Sequence, residues 1–115
     1  MKTLFLSFIF YWFSAACFAS STAPKRVVTM NLCTDQLALL LAKPEQLVSV
    51  SYLSHIPKHS SLYPLAQQLP ANKGVAEEVF AYHADLVLAG AFTRRETVTL
   101  LKRLNHRVEV FQPTH

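Results

Sequence analysis

Glycine is nearly missing from this 115-residue chain, which has only Gly74 and Gly90. Loops that hold phosphate through close backbone approach need glycine, and neither the dinucleotide fingerprint nor the Walker pattern is present. Cysteine is equally scarce, with Cys17 and Cys33 alone. No nucleophile elbow appears among the many serines and histidines, and no pair of carboxylates is spaced for acid/base work, so the residues point to binding and not to catalysis. Charged residues make up 16% of the chain, and the net charge of +4 comes from scattered Lys and Arg. A nucleic-acid surface would show a basic stripe or patch. Internal repeats and low-complexity tracts are also lacking.

What is present begins with an export signal. Lys2 gives a positive start, Leu4 to Phe13 form an apolar run broken only by Ser7, and Cys17-Phe18-Ala19 supplies small residues where a signal peptidase reads. Cleavage is expected after Ala19, leaving residues 20–115 as one small domain. The run is short for a membrane span, which needs about 20 apolar residues. Anchoring as a lipoprotein at Cys17 is the lesser alternative, because Ser14 stands where such a box has leucine. With Cys17 removed, Cys33 has no partner, and the expectation is a buried apolar filler.

Along the mature part, strands alternate with helices. Val27 to Met30 is a continuous apolar run, as expected of a strand covered on both faces. Thr34 is placed to cap the next helix, with Asp35 in its first turn and Leu37, Leu40 and Leu41 at helical spacing before Pro44. Leu47 to Tyr52 reads as a second strand. Leu53 to Gly74, with Pro57, Pro64 and Pro70, reads as loop containing a short helix near Leu62 to Gln68. A short helix over Glu77 to Tyr82 leads to a strand at Leu86 to Ala89. Thr93 to Leu104 is a helix with Thr93 and Glu96 as a capping box, ended by Asn105, and Arg107 to Phe111 is the last strand. This alternation implies an α/β three-layer sandwich on a four-stranded parallel sheet, with ligand-facing loops at the carboxyl ends of the strands.

Those ends share one rim: Asn31-Leu32-Cys33-Thr34, Tyr52-Leu53-Ser54-His55, Gly90-Ala91-Phe92-Thr93 and Gln112-Pro113-Thr114-His115. The rim is polar and aromatic. His55 and His59 stand four apart with His83 further on, but Pro57 disfavours the helix that would align the first pair as zinc ligands. They read as loop residues, and no metal site is assigned.

Three stretches, "RVVTMNLCTDQLALLLAKPEQLVSVSYLS", "GVAEEVFAYHADLVLAGAF" and "VTLLKRLNHRVEVF", resemble the amino-terminal lobe of ABC-transporter substrate-binding proteins of the iron-complex and cobalamin type. The best marker is Glu77 to Leu88, where His83 and Ala84 replace the usual lysine and proline and Asp85-Leu86-Val87 is intact. The resemblance implies a Rossmann-like lobe of a two-lobe periplasmic protein, truncated before its connecting helix and second lobe. It implies a monomer, neither an enzyme nor the holder of a resident cofactor, that carries a ferric siderophore, haem or cobalamin in the cleft between lobes. The partner would be an ABC permease at the inner membrane, docked through Glu77. Asn31, Leu32 and Cys33 would form part of the cleft wall, with Tyr52 and Phe92 as flat contact surfaces. Two other readings remain: a small exported metalloprotein or enzyme using His55, His59 and His83, and a remnant that binds nothing.

Overall fold

The computed structural model describes residues 23–112. The export segment, its cleavage point, Cys17, and the rim residues Pro113 to His115 lie outside the described residues. The elements run β1 (Val27–Thr29), α1 (Leu32–Leu41), β2 (Leu47–Ser51), a 3₁₀ turn (Tyr52–His55), α2 (Tyr63–Ala66), β3 (Ala71–Asn72), α3 (Ala76–Ala81), β4 (Leu86–Gly90), α4 (Arg95–Arg103) and β5 (Val108–Phe111). All strand pairings are parallel, in the order β3-β2-β1-β4-β5. The four expected strands are joined by a fifth, β3, which pairs Val50 with Ala71 and Ser51 with Asn72.

Parallel strands need covered faces, and the buried residues fall into two layers on opposite sides of the sheet. Val27, Leu47 and Val50 pack with Ala38 of α1 and Ala66 of α2. On the other side, Val28, Met30 and Val87 pack with Ala76 and Val79 of α3 and Leu101 of α4. The chain winds from β1 outward to β3, then crosses back over the sheet to β4 beside β1. The winding direction therefore reverses between β1 and β4. In open α/β sheets that reversal leaves a crevice at the carboxyl ends of the two strands.

α1 is oriented differently from its leucine spacing. Its inward face is Thr34, Asp35 and Ala38, while Leu37, Leu40 and Leu41 are exposed, Leu41 to 81%. The cause is polar. The fully buried Asp35 carboxylate accepts from Thr29 Oγ1 on β1 (2.5 Å), Ser51 N–H (2.9 Å) and Oγ (2.5 Å) on β2, and Ser54 Oγ in the 3₁₀ turn (2.6 Å). An unpaired buried carboxylate costs far more than an exposed leucine, so satisfying Asp35 sets the rotation of the helix. Asn31, not Thr34, caps α1: its Oδ1 accepts from Thr34 N–H at 2.9 Å, and Thr34 Oγ1 also donates to it. Thr93 likewise does not cap α4, which begins at Arg95. Its hydroxyl instead accepts from Gly90 N–H at 2.9 Å.

A second buried polar group ties β3 to the sheet. Asn72 Nδ2 donates to Thr29 O (2.8 Å), Ser49 Oγ (3.0 Å) and Val50 O (3.0 Å), and its Oδ1 accepts from Gly74 N–H (3.1 Å). Among the described residues no buried side-chain nitrogen or oxygen lacks a partner. No described helix is long and apolar enough to cross a membrane.

Candidate functional site

The exits of four strands meet in one hollow of about 490 Å³. Met30 and Asn31 follow β1, Tyr52 and Leu53 follow β2, Lys73 and Gly74 follow β3, and Phe92, Thr93 and Arg94 follow β4. The crevice at the winding reversal thus collects the residues that parallel pairing predicts there. Phe92 is 94% exposed and Tyr52 49%, so both rings offer uncovered surface.

Each ring is presented by a local device. The Asp35 carboxylate grips Ser51 and Ser54, the residues on either side of Tyr52 and Leu53, and so holds that turn at the rim. Phe92 sits in the turn between β4 and α4, closed by Thr93 N–H donating to Gly90 O at 3.0 Å. Gly90 leaves the space that the Asn31 side-chain amide fills: a Cβ on it would lie 2.6 Å from Asn31 Cγ. The chain after β3 passes over the end of β1 at Gly74, whose φ of +76° suits glycine. A methyl group on Gly74 would sit 3.9 Å from Met30 Cε.

Of the residues singled out in the sequence, Asn31, Tyr52 and Phe92 share this hollow. Cys33 lies in an adjoining hollow of about 390 Å³ that also contains Asn31, Leu37, Phe92 and Phe111. It is exposed, contrary to the expected buried filler, because it stands at the start of α1 on the side turned from the Asp35 contacts. Leu32 lines neither hollow. Glu77 lies apart, exposed in the first turn of α3, beside a groove formed by Phe80, Leu100 and Leu104. Lys73 and Arg94 line the first hollow and were not foreseen, although each directly follows a strand or its exit turn.

The histidines stay separate. His55 Nε2 is 3.0 Å from Leu69 O, His59 and His83 are exposed, and no group of three His, Cys, Asp or Glu able to hold a metal occurs among the described residues. A larger hollow of about 770 Å³ lies at the amino ends of the strands, around Lys25, Glu45, Asp85 and Arg107. Its Asp85 carboxylate is occupied by the main-chain N–H groups of Lys25 (2.7 Å) and Arg26 (2.9 Å). That arrangement fastens the start of β1 to β4 and leaves the carboxylate little freedom to meet a ligand.

The fold is that of one lobe of a periplasmic solute-binding protein. Solved structures that share it include a periplasmic haem-binding protein from Pseudomonas aeruginosa (TM-score 0.62, 22% identity, 78% of this chain and 32% of that one). Another is the periplasmic vitamin B12 binding protein BtuF of Vibrio cholerae (0.61, 21%, 76% and 34%). A third is the haem-binding protein RhuT from a Roseiflexus species (0.63, 16%, 78% and 34%). The chain spans about a third of the length of these proteins. No family profile and no curated protein sequence matches it.

Proposed function

We propose that this chain is the solute-binding component of an ABC importer, exported to the periplasm, where it takes an iron complex (siderophore or haem) or cobalamin and delivers it to the permease. One observation carries the reading: Asn31, Tyr52 and Phe92, from three separate strand exits, stand in one hollow at the reversal of the sheet. A broad ligand can lie on exposed aromatic faces without the glycine cradle that phosphate needs. Neighbours of the same fold that bind haem and vitamin B12 support it. In this reading the chain is not an enzyme. Asn31 and Cys33 belong to the cleft wall, Leu32 does not, and Glu77 is the docking carboxylate. Glu77 is an exposed acid beside an apolar groove, which suits a basic partner surface.

The test is a titration of the purified chain with haemin and with cyanocobalamin, followed by visible absorbance. Binding of either that weakens at least severalfold in Tyr52→Ala and in Phe92→Ala supports the proposal; binding indifferent to both substitutions removes it. Glu77→Lys should leave that titration unchanged while abolishing transport through the cognate permease.

A further inference from the structure

Two cations stand on the hollow, and no acid opposes them there. Lys73 follows β3 and Arg94 follows the β4 turn, and neither aspartate nor glutamate lines the same space. Glu78 and Glu96 stand outside the hollow. Glu78 accepts the main-chain N–H of Lys73 at 2.7 Å, which holds it at the start of α3, and Glu96 lies in the first turn of α4 outside the hollow. The one ion pair among the described residues joins Arg107 and Glu109, on β5 and the turn before it. An ammonium and a guanidinium left free at a concave wall create a positive field there, and guanidinium suits the paired oxygens of a carboxylate or phosphate.

The same hollow carries Tyr52 and Phe92 together with Met30 and Leu53. Flat apolar contact and positive charge thus adjoin in a space that no acid lines. Resting on the reading of this hollow as the ligand site, we infer that the ligand is an oxyanion-bearing planar molecule: its ring system lies on Tyr52 and Phe92, and its acidic groups face Lys73 and Arg94. A neutral or cationic ligand of equal size would leave both cations unused.

Water-soluble porphyrins of one size and different charge test this on the full chain. The probes are tetrakis(carboxyphenyl)porphyrin, its phosphonophenyl counterpart and the cationic tetrakis(N-methylpyridinium) form, titrated by fluorescence at low salt. The two anions should bind at least tenfold more tightly than the cation, weaken as salt rises, and lose about tenfold in Lys73→Gln/Arg94→Gln. The relative strength of the two anions tells which oxyanion the site prefers. Lys58→Gln/Lys102→Gln, exposed and away from the hollow, should change nothing. Equal binding of the cation, an unaffected Lys73/Arg94 variant, or an equal loss in the Lys58/Lys102 variant overturns the inference. If the cation or cyanocobalamin still binds and is lost in Tyr52→Ala/Phe92→Ala, the ligand site stands and only the charge preference falls. If no probe depends on Tyr52 and Phe92, the site itself falls.

Discussion

At the scale of the residue, Asp35 does two jobs with one carboxylate. It anchors α1 to β1 and β2 through Thr29 and Ser51, and it holds the Tyr52 turn through Ser54. Removing it leaves buried hydroxyls and an amide without an acceptor, each costing on the order of 1–3 kcal/mol. Asp35→Ala should therefore lose about 4 kcal/mol of stability or more, read as a lower urea midpoint with an unchanged slope. Asp35→Asn keeps one acceptor oxygen but turns an NH₂ toward donors, so it should not rescue fully. A loss under about 1 kcal/mol would mean the hydroxyls find other partners. Asp85 makes a separate prediction. Partial desolvation raises its pKa, but the N–H groups of Lys25, Arg26 and its own residue, with the Lys25 charge, outweigh that and hold it below the ordinary 3.8. A carboxylate whose folded value is depressed stabilises the fold above its unfolded pKa and loses that contribution as pH falls through the folded value. Acid unfolding should thus include an Asp85 component below about pH 4, and Asp85→Asn should flatten the stability curve in that window while lowering stability at pH 7. A curve of unchanged shape would show the contact to be idle.

At the scale of the element, the junctions at β1 and β4 depend on each other. Asn31 caps α1 only because Gly90 leaves room for its amide. Gly90→Ala should cost at least the roughly 1 kcal/mol of a lost cap, since the Asn31 side chain must move out of its capping position. In an Asn31→Gly background the same substitution should cost markedly less, and additive losses in a double-mutant cycle would refute the coupling. Elements also show where sequence reasoning reaches its limit. β1, β2, β4 and β5 were legible because runs such as Val27-Val28 and Leu86-Val87-Leu88 fit strands covered on both faces. β3 was not, because two residues carry no periodicity and its short ladder with β2 is reinforced by the Asn72 side chain. The orientation of α1 was misread for a similar reason. Spacing counts apolar residues, whereas a single buried acid with partners on three elements decided which side faces in. The site followed the same division. Asn31, Tyr52 and Phe92 share one hollow because parallel strands gather their exits. Lys73 was missed with β3, and Arg94 was counted inside a helix that starts one residue later.

At the scale of the whole molecule, the hollow is one wall. The chain spans about a third of the proteins whose fold it shares, and a planar ligand of the kind proposed, lying on Tyr52 and Phe92, would meet the described residues on one face. Covering two aromatic side chains contributes on the order of 5 kcal/mol, the smaller contacts at Met30 and Leu53 about 3, and two exposed charge pairs about 2, roughly 10 in all. Association costs at least about 4 kcal/mol in lost rotation and translation. At most about 6 kcal/mol remains, which corresponds to a dissociation constant near 40 µM. Calorimetric titration of the chain with haemin should give a Kd no tighter than that, and joining a second lobe that covers the open face should tighten it by several orders of magnitude. The gain would arise because the added wall contributes new burial without a second loss of free translation. Nanomolar binding by the single wall would overturn this argument, since it would require contacts that the open hollow does not possess.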